Sequence, residues 1–220
     1  MNREIWKIMY HVIDLPTKAK LLGKLVEKTN LELVSVLEKT NLSDDLVNLY
    51  RTFNKFQIRW VIEGDLETTG EVRITSAQDF VSQSGIQLDT PQISWFIDGK
   101  EISLKGVFIP LDYNDEQSCV GVFTEYWDSG KLFYYEFGST FYSLNIGVRA
   151  YFQLLKYTYG TSYWPRILLT EKEAIFKNSL SDLILQITEI NPIFKFDEFM
   201  KLYYSLVEVD LESNQDGNGR

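Results

Sequence analysis

The stretch FIPLDYNDEQSCVGVF, residues 108–123, gathers Asp112, Asp115 and Glu116 into one short segment. Carboxylates this close could chelate a divalent cation, or divide general-acid and general-base work between them. The metal reading fails on spacing. Counted from Asp112, the sixth position is Gln117 rather than glycine and the twelfth is Phe123 rather than glutamate, so the segment is no EF-hand loop. Acid–base chemistry needs a substrate pocket, and nothing in the neighbouring residues marks one. Asp and Asn between two apolar runs are ordinary turn formers, because their side chains bond nearby backbone. The stretch therefore reads as a hairpin turn, with partner contact as its functional alternative.

His11 and Cys119 are the only histidine and the only cysteine. A nucleophile–base triad or a two-histidine metal site would have to depend on them, and neither stands in a recognisable motif. Glycine-rich phosphate loops and paired cysteines are absent as well. We assign no catalytic residue, no metal ligand and no cofactor. Cys119, inside an apolar strand, reads as a small buried hydrophobe. Trp60, next to Arg59 in FQIRWVIEG, is either half of an exposed recognition pair or a half-buried strand residue.

The elements that would position these residues divide the chain of 220 into three parts. In NLSDDLVNLYRTFNKF, Ser43 is an N-cap candidate and Asp44 and Asp45 suit the first turn. Leu46, Leu49, Tyr50 and Phe53 then repeat as one face of a helix. Earlier, LPTKAKLLGKLVEKTN predicts a helix beginning near Pro16 and stopping at Asn30, and LELVSVLEKTN a second. From residue 57 the period changes to two. QIRWVIEG, GEVRITS, QISWFIDG, EISLKGVFIPL, SCVGVFTEYW and GKLFYYEF predict about six strands with short connections, hence a mainly antiparallel sheet. Asp98-Gly99 and Asp128-Ser129-Gly130 supply turns.

Helix returns in NIGVRAYFQLLKYTYG, with Asn145 as its N-cap, a stripe of Val148, Tyr151, Phe152, Leu155 and Tyr159, and Gly160 as its stop. Further helices are expected over 174–190, broken at Asn191-Pro192, and over 197–209. The whole is an α+β domain over residues 1–210, its sheet flanked by N- and C-terminal helices, with a flexible polar tail at 211–220.

Composition narrows the function. Aromatic residues make up 15 % of the chain, and such side chains belong in cores, strands and interfaces. Net charge is −9. Residues 61–136 alone carry 4 basic and 14 acidic groups, which would repel nucleic acid and attract a basic protein. No apolar run is long enough to span a bilayer, and the N-terminal stretch lacks the long apolar segment and small-residue cleavage site of a signal peptide. With a single thiol and no disulfide framework, the expectation is a cytoplasmic protein that touches neither membrane nor nucleic acid.

Three segments in order resemble the SUKH superfamily, which includes yeast-type cell-wall synthesis regulators and many bacterial toxin-immunity proteins. LSDDLVNLYRTFNKFQIRW is similar to that family's leading helix through Leu42, Leu46, Leu49, Tyr50, Phe53 and Asn54. It departs from the pattern at Ser43, where proline is common, and at Lys55, where glycine is common. GVFIPLDYNDEQSCVGVF resembles the central strand and acidic turn through Phe108, Ile109 and Pro110. SLNIGVRAYFQLLKYTYGTSYWP resembles the closing helix through Tyr151, Leu154, Leu155, Gly160, Tyr163 and Trp164. The resemblance covers about residues 40–165. It implies an α+β fold without catalytic residues and a protein-binding role, commonly toxin neutralisation, with a regulatory or scaffold protein as the alternative. It supplies no fixed site. Acidity and aromaticity nominate Trp60, Asp112, Asp115, Glu116, Tyr126, Trp127 and Asp128 as partner-binding residues.

Overall fold

Side chains two apart on a strand share one side of a sheet, and the middle of this chain is built on that period. The computed structural model describes residues 7, 11–12, 14–63, 67–83, 93–104, 106–126, 129–136 and 140–216. Among them nine strands form one sheet: β1 (Lys20–Glu27), β2 (Lys55–Ile62), β3 (Thr68–Ile74), β4 (Ile93–Ile97), β5 (Lys100–Leu104), β6 (Phe108–Tyr113), β7 (Ser118–Phe123), β8 (Phe133–Glu136) and β9 (Phe141–Ser143). Their order is β1-β2-β3-β6-β7-β8-β9-β4-β5, antiparallel throughout except for the parallel contact of β4 with β9. Among the described residues the helices with complete bounds are α1 (Leu31–Leu37), α2 (Asp44–Thr52), α3 (Ala77–Gln83), α4 (Val148–Thr158), α5 (Ala174–Asn178), α6 (Leu180–Ile190) and α7 (Phe196–Asp216), with 3₁₀ segments over Thr124–Tyr126 and Trp164–Leu169; Lys7, His11 and Val12 are helical as well. The class is α+β with a mostly antiparallel sheet, and it has nine strands where about six were expected.

The largest correction is at β1. The spacing of Leu21, Leu22, Leu25 and Val26 suits one side of a helix, yet the segment pairs with β2 along its length. Gly23 weakens a helix at its centre, and the open edge of β2 offers a ladder of backbone partners. Asn30, expected to end a helix, instead begins one. Its Oδ1 accepts from the N–H groups of Glu32 at 3.1 Å and Leu33 at 3.2 Å, capping α1. The other added strands are β9, too short to carry a pattern, and the division of EISLKGVFIPL into β5 and β6 around Gly106.

Among the helices, α2 forms as its sequence dictates, with Leu46, Leu49 and Tyr50 fully buried. α3 was not expected. Ser76 starts it by accepting the N–H of Asp79 at 3.0 Å and donating to that residue's carboxylate at 2.7 Å. Gly147 rather than Asn145 occupies the N-cap of α4, and Asn145, with φ 54°, accepts a hydrogen bond from Ser143 at 2.9 Å instead. The segment over 174–190 divides at Ser179 into α5 and α6. α7 continues to Asp216, into residues whose polar composition points to a frayed tail.

The main core lies between the helices and one side of the sheet. Phe56 and Ile58 of β2, Val72 and Ile74 of β3, Ile109 of β6 and Val120 and Val122 of β7 face Leu49 and Tyr50 of α2 and Tyr151 and Leu155 of α4. Beside it, Trp60 is fully buried and its Nε1 donates to the carbonyl of Tyr159 at 2.9 Å. Its cross-strand neighbour is Gly70, where any Cβ would overlap the indole ring. Overfilling a packed site costs about 1–3 kcal/mol, so Gly70→Ala should lower stability by roughly that amount. Urea unfolding of the variant against the parent chain checks it; an unchanged midpoint would refute the close packing.

Candidate protein-binding face

The two sides of the sheet are covered differently. Alternate residues of β6 to β9 point away from the main core and form a second cluster, in which Ile97, Phe123, Phe133 and Phe141 are buried beneath the partly exposed Ile102, Phe108, Tyr126 and Tyr135. Among the described residues no α-helical residue belongs to it. The aromatic rings interlock: Phe108 meets Phe141 edge-on at 4.8 Å, Phe123 meets Phe133 edge-on at 5.0 Å, and Tyr135 stacks on Phe141 at 4.4 Å. Arrangements of this kind add about 0.5–1.5 kcal/mol per pair beyond burial. They hold the half-exposed rings in place from below.

The cluster continues toward the hairpin between β6 and β7. Tyr113 and Tyr135 are the cross-strand neighbours of Cys119 on either side, and Arg73 of β3 lays its guanidinium over the Tyr113 ring at 4.6 Å. Tyr126, at the other end of β7, packs on Phe133 at 5.5 Å and receives the ammonium of Lys131 over its ring at 5.7 Å. A strip therefore runs from Tyr113 to Tyr126. Exposed Glu116 stands near one end and exposed Glu125 near the other.

The nominated residues scatter over three environments. Trp60 is interior, on the side covered by helices, so it is no exposed recognition residue. Asp112 is interior too, and belongs to β6 rather than to the turn. Its Oδ1 accepts the N–H of Arg73 at 2.9 Å, and its Oδ2 accepts the hydroxyl of Tyr151 at 2.7 Å. Asn114 donates to the same hydroxyl at 3.1 Å. Asp115 does what the turn reading asks of it. Its carboxylate accepts the N–H of Gln117 and, at 2.8 Å, that of Ser118, and it also accepts the Ser118 hydroxyl at 3.0 Å. Glu116 is exposed at the tip and Tyr126 is half-buried at the strip's end. Trp127 and Asp128 lie outside the described residues.

His11 and Cys119 have different surroundings. His11 lies against the ring of Tyr159 at 5.0 Å, whereas Cys119 is buried in β7, where desolvation pushes its thiol up to about 12. A thiol so protonated is a poor nucleophile. Among the described residues no cluster of three or more potential ligands could hold a metal ion, and no helix is long and apolar enough to cross a membrane. Compared with known proteins, the chain matches no family model, no curated protein and no solved structure.

Phe108, Tyr113 and Tyr135 are the members of the strip that acidity and aromaticity did not nominate. The alternation of Phe133 and Tyr135 against Leu132 and Tyr134 marks a side for each. Only the pairing register tells which side the helices leave uncovered.

Asp112 has a measurable consequence. Burial raises its carboxyl to about 6, against the lowering effects of the Tyr151 and Arg73 bonds. Between its unfolded value near 3.9 and about 6, the native state holds a proton that the unfolded chain has released. Its contribution to stability is therefore full below the unfolded value and declines as pH rises through about 6. We expect the folded state to lose about 2–3 kcal/mol from this group between pH 4 and pH 7. Asp112→Asn should flatten that part of the profile, as read by urea unfolding at several pH values. An unaltered slope in the variant would mean that Asp112 does not titrate in this range.

Proposed function

We propose that this chain is a non-catalytic protein-binding module of the cytoplasm that neutralises a toxin domain by direct binding. The observation carrying the proposal is the strip Tyr113–Phe108–Tyr135–Tyr126, whose half-exposed rings rest on a buried aromatic layer and are left uncovered by the helices. Rigid aromatic side chains on a fixed strand scaffold are the usual anchors of an interface, since they desolvate large areas and lose little rotamer freedom. The resemblance to immunity proteins of the SUKH superfamily supports the same reading. So does charge: an overall −9, concentrated in the segment that builds this side of the sheet, would draw in a basic domain and hasten its encounter.

In mechanism, the partner docks over the rings and is occluded. Glu116 and Glu125 act at the ends of the strip and govern rate more than affinity, because exposed charges contribute little to a formed complex. A pull-down at low and at moderate salt from the organism that makes the chain supplies the candidate partner, and the purified pair is then titrated. We expect Tyr135→Ala to weaken binding at least about tenfold, and Glu116→Lys with Glu125→Lys to slow association and flatten its salt dependence. One basic partner with those responses supports toxin neutralisation. Many unrelated partners, or a partner indifferent to all three substitutions, would favour a regulatory or scaffold protein that binds elsewhere.

A further inference from the structure

Among the described residues β1 ends the sheet, with β2 on one side and no strand on the other. Leu21 is 48 % exposed, Leu22 50 %, Leu25 39 % and Val26 36 %. An apolar edge with unpaired backbone groups is a template for another strand. Its chemistry identifies which one.

The pairing of β1 with β2 sets Lys20 opposite Val61 and Leu21 opposite Trp60, then skips Leu22 and resumes with Gly23 opposite Arg59, through to Glu27 opposite Lys55. Leu22 is thus the extra residue of a bulge. Two copies of one strand can pair antiparallel only where facing residues point their backbone groups the same way. Take a two-fold axis at Lys24. In a regular strand it would bring Leu21 against Glu27 of the second copy and Lys20 against Lys28, both unfavourable. The bulge moves the first residues by one place. Leu21 then faces Val26, and Lys20 faces Glu27, each pair on one side of the joined sheet. Gly23 faces Leu25. The single mismatch is Lys24 against its own copy at the axis.

We propose that β1 is a self-association surface, and that a second copy of this chain pairs with it antiparallel about Lys24, joining two sheets into one. The two Leu21–Val26 contacts and the two Lys20–Glu27 contacts favour the dimer, while the Lys24 pair weakens it, since like charges directly opposite are unfavourable. Two local bonds bear on the design of a test. Lys20 bonds Glu63 at 3.1 Å, and Glu27 accepts from Asn54 at 2.9 Å through one oxygen.

The test is sedimentation of the full chain over a wide concentration range, with circular dichroism and urea unfolding to show that each variant is folded. Lys24→Thr should tighten self-association several-fold. In a Glu63→Gln background, Glu27→Lys should abolish it, and Lys20→Glu added to Glu27→Lys should restore it. A chain and a Lys24→Thr variant both monomeric at the highest concentration overturn the proposal. So does a dimer that ignores all of these substitutions, because its interface must then lie elsewhere.

Discussion

The register shift between Pro110 and Asp112 governs the centre of the molecule. Without it, Asp112 would share a side with Phe108 and Pro110, among the half-exposed rings. One extra residue in β6 turns both Leu111 and Asp112 toward the helices. Tyr151 of α4 supplies the hydroxyl that the buried carboxylate needs. The same shift places Tyr113 on the uncovered side, where Arg73 lies across it. Its backbone is well supported: Thr75 donates through its N–H to the carbonyl of Leu111 and through its hydroxyl to that of Pro110, both at 2.9 Å. Pro110 has no N–H to contribute, and a bulge is one of the few places in a sheet that tolerates it. Across the pair stands Gly121, where a Cβ would overlap the carbonyl of Ile109. A larger residue there would drive β6 and β7 apart at this point.

Much of this architecture is legible in the residues. Period-two runs mark β2, β3, β7 and β8, and the spacing of Leu46, Leu49 and Tyr50 marks α2. In β2 and α2 the pattern follows burial, one side apolar and one side not, whereas in β7 both sides are buried. β1 has no such pattern, because nearly all of its residues are exposed. What fixes it as a strand is the edge of β2, whose paired residues lie 28 to 41 positions further along the chain. α3 and β9 are too short for periodicity to register. The facing of Asp112 depends on a bulge that composition does not announce, so an acidic residue beside a turn reads as surface when it is core. Trp60 is the parallel case. The glycine that accommodates its indole lies on the next strand, and no local rule connects the two.

One-sided coverage has two effects on surface chemistry. The helix side carries most of the aliphatic burial and therefore the stability. The uncovered side is mostly aromatic and keeps its shape through ring-to-ring contact, so its outer rings can be exposed without loosening the layer below. Salt bridges add little to this. Several of those among the described residues are solvent-exposed, as between Lys20 and Glu63 or Lys195 and Glu198, and pairs of that kind contribute at most about 1 kcal/mol. The better-shielded pair is Arg166 with Glu136, which ties the 3₁₀ segment to β8.

The strand order also bears on how the chain is made. After α3 the chain leaves the middle of the sheet for its far edge, forms β4 and β5, and returns to lay β6 against β3. The neighbour awaiting the β4–β5 hairpin is β9, some forty residues later in the sequence, and the contact is a single parallel bridge of Ile97 with Phe141. A ribosome delivers the hairpin first. Until β6, β7, β8 and β9 have followed, its apolar side has no sheet to join, and a two-stranded hairpin alone is marginally stable in water. For that interval the growing chain carries Ile97 and Ile102 without their final cover. The last strand of the sheet to be synthesised is thus the one that fixes an earlier pair in place.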